Sequence, residues 1–120
     1  MPWNHYLSYF FGGLFLTNAL PHYVAGTLGQ PFQSPFANPR GQGYSSSTVN
    51  VAWGWLNLVI GYGLVFQVGH FDVRDLACVA PLGVATLLGA LMHSSNFGKF
   101  NGGNDPLKVQ AVNAAIPKAS

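Results

Sequence analysis

Four histidines are the residues of this chain best suited to chemistry, and two of them, His22 and His93, lie in apolar surroundings. A neutral imidazole on a helix serves as an axial ligand to haem iron or to the magnesium of chlorophyll or bacteriochlorophyll, provided small neighbours let the flat macrocycle approach. Gly26 follows His22 by one helical turn and Gly89 precedes His93 by one, so both have such a neighbour. No two histidines recur on one helix at ligand spacing. The competing expectation for each is therefore an ordinary hydrogen bond to Asn50, to Asn57 or to a backbone carbonyl.

A second set of polar residues is spaced for packing. Asn50, Gly54, Asn57 and Gly61 recur at intervals of four, three and four, which places them on one helix face. Gly83, Thr86, Ala90 and His93 share another face, and Asn18, His22, Ala25 and Gly29 a third. In lipid, helices associate through close approach at small residues and through interhelical hydrogen bonds. Asn18, Asn50, Gly54, Asn57, Gly61, Gly83 and Thr86 are the expected packing residues.

Missing residue types exclude more than the present ones suggest. The chain has no Glu, and its Asp residues, Asp72, Asp75 and Asp105, lie outside the apolar runs, so the carboxylate relays of proton pumps have no members here. Ser8, Thr17 and Thr86 have no adjacent acid, and no nucleophile, base and orienting group recur in a known catalytic arrangement. The single cysteine, Cys78, excludes an internal disulfide, a thiolate metal cluster and a c-type haem motif. A net charge of +2 without a basic patch gives nucleic acid nothing to bind. A non-catalytic protein is expected.

The elements that must position these residues follow from where the charges are absent. Only 7% of the residues are charged and 49% are apolar, against roughly 25% charged in a soluble domain. The charges leave three free windows, 1–39, 41–71 and 76–98, each able to hold the ~20 apolar residues that cross a hydrocarbon core. The expectation is an all-α integral membrane protein with a three-helix transmembrane domain over 1–94. Its helices run over about 3–29, 48–69 and 75–94, the first kinked at Pro21. Ser45, Ser46, Ser47 and Thr48 offer hydroxyl caps for the second helix, and Asp72 or Asp75 suits the start of the third. The short link between helices 2 and 3 predicts that they are antiparallel neighbours. No Lys or Arg precedes the first apolar run, so helix 1 is expected to be retained rather than cleaved as a signal.

Between helices 1 and 2, residues 30–47 repeat Pro31-Phe32 and Pro35-Phe36 before Pro39, a pattern that predicts a stiff extended loop. From residue 95 to 120 the composition turns to Asn, Gly, Lys and Ala, a polar tail expected to need a partner to order it. Pro31, Phe32, Pro35, Phe36, Lys99 and Phe100 are the expected partner-binding residues. Arg40, Lys99, Lys108 and Lys118 lie on the side of the loop and tail, against Arg74 on the other. The positive-inside rule then puts the N-terminus outside and the C-terminus in the cytoplasm. Trp3 and Tyr6 suit the outer interface, and Tyr44, Trp53, Trp55, Phe97 and Phe100 the inner one.

The stretch from Asn18 to Gly26 (NALPHYVAG), with Gln30 to Phe36 (QPFQSPF) and Ser47 to Gly54 (STVNVAWG), resembles a group of small bacterial three-helix membrane proteins. The resemblance covers about two-thirds of the chain. It implies a bacterial inner-membrane location and carries no activity or site residue with it. The leading functional expectation is an accessory subunit of a larger membrane assembly, photosynthetic or respiratory, contacting other subunits and lipids. A tetrapyrrole-binding protein with His22 or His93 as ligand is the second, and a small channel or carrier oligomerised around Asn50 and Asn57 is the third.

Overall fold

Trp3–Thr27 forms α1, a 25-residue helix that becomes the central element of the protein. The computed structural model describes residues 1–117; Lys118, counted among the tail's positive charges, lies outside the described residues. After α1 come two short strands, β1 (Phe32–Gln33) and β2 (Tyr44–Ser45), then α2 (Ser47–Phe66), α3 (Leu76–Asn101) and α4 (Pro106–Ala115). The fold is all-α apart from the β1–β2 hairpin.

α1 packs against both α2 and α3, whereas α2 and α3 scarcely touch each other. This corrects the expectation that helices 2 and 3 are neighbours. The 67–75 link, turned at Gly69 in the left-handed region, steps across the N-terminal end of α1 and sets α3 down on its other side. Tyr9 Oη donates to Val68 O at 2.8 Å and Tyr9 meets Phe71 edge-on, anchoring the link to α1. α2 therefore runs antiparallel to α1 and α3 parallel to it.

Two adjacent glycines let α1 approach both partners. A Cβ on Gly12 would meet Val65 and Leu64 of α2, while one on Gly13 would lie 2.8 Å from Leu82 O and 2.9 Å from Ala85 Cβ of α3. Successive helical residues point about 100° apart, so a glycine pair serves two interfaces at once. Further along the α1–α2 seam, Gly54 lies against the Tyr23 backbone and Gly61 against Leu16.

On α3 the buried face lies one position away from the one its spacing predicts. Gly83 is exposed with nothing near its missing Cβ, and Thr86 turns its hydroxyl back to Gly83 O at 2.8 Å. The buried residues are Cys78, Ala85 and Gly89, the last against Thr17 and Leu14. Ala85 and Gly89 pack as closely as Gly83 and Ala90 would, and periodicity alone does not choose between two small-residue faces.

Boundaries also shift. α1 runs unbroken through Pro21, and α3 continues to Asn101 rather than ending near 94, because Phe97 packs on His22 and Phe32 and carries the helix past Ser94 and Ser95. Gly102 and Gly103, both at positive φ, then stop it. Within the tail, Asp105 caps α4 by accepting from Lys108 N, with Pro106 at the first helical position. α4 buries nothing.

The 30–47 segment forms strand at its two ends alone, where Phe32–Gln33 pairs with Tyr44–Ser45. Its middle folds back through Gly41 N to Ser34 O and Gly43 N to Pro39 O, at 2.9 and 2.8 Å. The prolines stiffen a closed hairpin rather than a strap. Among the described residues, two stretches are long and apolar enough to cross a membrane: Ser47–Phe66, which is α2, and Leu76–Ala115, which contains α3 and α4.

Candidate functional site

The polar residues of the bundle gather where the hairpin closes over the C-terminal end of α1. Asn50 is fully buried, and its amide nitrogen lies 3.0–3.1 Å from Phe32 O, Ser45 O and Ser46 O, its two hydrogens shared among the three carbonyls. One side chain thus holds both hairpin strands and the first turn of α2. Because three carbonyls surround Nδ2, the amide has one possible orientation and Oδ1 faces α1.

There it lies 2.8 Å from His22 Nδ1. An amide oxygen only accepts, so Nδ1 carries the proton, and Nε2 holds a lone pair whenever the ring is neutral. The ring is 2% exposed and is met edge-on by Phe32, Trp53 and Phe97, with centroids 5.5, 6.4 and 5.9 Å away. A macrocycle ligated at His22 would have to displace Phe32 and Phe97. His93 is half-buried, its ring 5.2 Å from that of Phe97.

One turn toward the bundle centre, Asn18 Nδ2 donates to Asn57 Oδ1 at 2.9 Å, and Asn57 Nδ2 to Trp53 O at 2.7 Å. Asn50 and Asn57 are both wholly buried against α1. An oligomer built around them would have to open the bundle, which removes the geometric basis for the channel reading. Asn18, Asn50, Gly54, Asn57 and Gly61 come together on the α1–α2 seam, whereas Gly83 and Thr86 stand apart from both seams.

Two cavities flank this network. One, about 360 Å³, lies under the hairpin and is walled by Asn18, His22, Gln33, Ser34, Trp53 and Phe97, with Arg40 at its rim. The other, about 270 Å³, lies further from the hairpin along α1, with Phe11, Leu14, Phe15, Met92 and His93 among its walls. Asn18 and Trp53 belong to both.

Of the expected partner-binding residues, Phe32 points inward, which corrects its assignment: its ring is 4.8 Å from Phe97. Pro31, Pro35, Phe36, Lys99 and Phe100 are exposed, Phe36 resting edge-on against Trp53. Sequence reading passed over Gln33, Ser34 and the Gly12-Gly13 pair. Gln33 and Ser34 sit in a proline-rich loop that gave no reason to bury them, although both are buried. His5 and His70 lie at the opposite end, and among the described residues no three His, Cys, Asp or Glu side chains cluster to hold a metal. No family model, curated protein or solved structure matches the chain, so its own residues carry the functional reading.

Proposed function

We propose that this chain is a three-helix integral membrane protein of the bacterial inner membrane, a non-catalytic accessory subunit of a larger assembly. The observation that carries the membrane part is an inverted surface. Large apolar side chains such as Phe11, Leu20, Val24, Tyr62, Leu87 and Leu91 are exposed along all three long helices, while Asn50, Asn57, His22 and Thr17 are buried. A soluble domain rarely exposes contiguous apolar patches beyond a few hundred Å². α1 is not among the stretches apolar enough to cross a membrane by composition alone, and what supports a third span is its exposed Leu7, Phe11, Leu20 and Val24.

The subunit role rests on what lies at the cytoplasmic end under the proposed orientation. Phe36, Phe100, Leu107 and Val112 of α4, and Ile116 at its C-cap are exposed on the end that carries Lys99 and Lys108, a mixture suited to gripping a protein partner. A photosynthetic or respiratory assembly is the proposed host, by analogy with other small helical subunits. Purifying the N-terminally tagged chain in mild detergent from its own cell membranes should recover other membrane subunits with it. A folded chain that elutes alone counts against the subunit role, and release of the chain by alkaline carbonate counts against the membrane placement.

A further inference from the structure

Gln33 is completely buried, yet neither its amide nitrogen nor its amide oxygen has a hydrogen-bond partner. Trp53 Nε1 is buried and unpartnered as well. Such groups are costly to bury unpaired, and they are few in native proteins. Here the three orphaned atoms belong to two residues that wall the same 360 Å³ cavity, alongside the His22 ring, whose Nε2 holds a lone pair when the ring is neutral. We infer that this cavity binds an amphiphile with a flat, uncharged, hydrogen-bonding head of the quinone type.

The walls select for that chemistry. A head that displaces the packing over these wall residues would find donors for its carbonyl oxygens in Gln33 Nε2 and Trp53 Nε1, and acceptors for a hydroxyl in Gln33 Oε1 and His22 Nε2, partners for both a quinone and its quinol. Trp53 and Phe97 add aromatic faces for a ring. Arg40 is the one charged residue at the cavity and is exposed at the rim, so the interior is neutral and an anionic head would be poorly matched. The volume lies near the small end of the ~300–1,000 Å³ range of ligand pockets, which suits one substituted ring and not a four-pyrrole macrocycle. The second cavity shares Asn18 and Trp53 with the first and is lined by Phe11, Leu14, Phe15 and Met92, giving an apolar tail a place to lie. Since the ligand would arrive through the bilayer, the site rests on the membrane placement proposed above but not on the subunit role.

The test uses the full chain in detergent micelles with Trp3→Phe and Trp55→Phe, leaving Trp53 as the fluorescent reporter, titrated with decylubiquinone. Saturable quenching is expected, weakened by roughly tenfold or more in Gln33→Leu, the loss of one or two buried hydrogen bonds. The melting temperature of Gln33→Leu should hold or rise, because an unpartnered amide is removed. Gln33→Met provides the same comparison with an unbranched side chain of similar length. Non-saturable quenching, or equal quenching in the parent and both variants, overturns the site. So does displacement of the quinone by phosphatidylglycerol that is lost in Arg40→Ala, which would reassign the cavity to a lipid phosphate. A chain that resists carbonate extraction but shows no saturable quenching overturns the site alone, whereas carbonate release removes the membrane placement whatever the titration gives.

Discussion

His22 Nδ1 and Asn50 Oδ1, 2.8 Å apart, tie the C-terminal end of α1 to the start of α2 at the point where the hairpin closes. The same amide bonds three backbone carbonyls from the hairpin and the α2 cap, so helix packing and loop closure share one side chain.

Asn50→Leu should therefore loosen two elements together. It strips a partner from His22 and from Phe32 O, Ser45 O and Ser46 O, and a loss of about 2 kcal/mol or more is expected. Thermal unfolding in detergent measures the loss, and limited proteolysis should show new cleavage within the 34–43 turn. A stability change with the hairpin still resistant would show that Asn50 holds the helices and not the loop.

Glycines on and off the seam should respond with opposite signs. A Cβ at Gly54 would sit 2.7 Å from Tyr23 N and 2.8 Å from Tyr23 Cβ, and backbone cannot move aside as a side chain can. Gly54→Ala is expected to cost about 1–3 kcal/mol by overpacking. Gly83→Ala meets nothing within 4 Å and should gain about 0.5–1 kcal/mol from helix propensity. Both are read in the same unfolding assay, and equal effects would contradict the α3 register described above.

Asn18 and Asn57 should show a small but real coupling. A double-mutant cycle with Asn18→Leu and Asn57→Leu is expected to give about 0.6 kcal/mol, the usual strength of a hydrogen bond between membrane helices. A coupling indistinguishable from zero would mean that Asn57 acts through its bond to Trp53 O alone.

Orientation is open to cysteine labelling because the native thiol is hidden. Cys78 is 2% exposed, so it should stay unreactive toward a maleimide in the folded protein. A cysteine placed at Val73, 73% exposed on the 67–75 link, should label from outside intact cells, and one at Lys99 only after permeabilisation. The reverse pattern would invert the proposed topology.

Part of this architecture is legible in the sequence. Charges placed only between apolar runs left room for three long helices, and those helices form. The Asn50-Gly54-Asn57-Gly61 stripe marked the buried face of α2 because four polar or small residues at helical spacing leave little choice of face. On α3, small residues occupy two faces, and Ala85 and Gly89 were passed over for Gly83 and Thr86. The α4 cap was also readable in Asp105-Pro106, but a polar composition hid it.

What the sequence alone determined is the list of long helices and the side of α2 that packs, since a 3.6-residue period and the cost of burying charge act locally. The tertiary structure decided that α1, rather than α2, is the central helix, because a nine-residue link from 67 to 75 permits either neighbour and only the fit of Gly12 and Gly13 to two different partners chooses. It also turned Phe32 inward and buried Gln33 beside His22, contacts among residues far apart in the chain that no local spacing encodes.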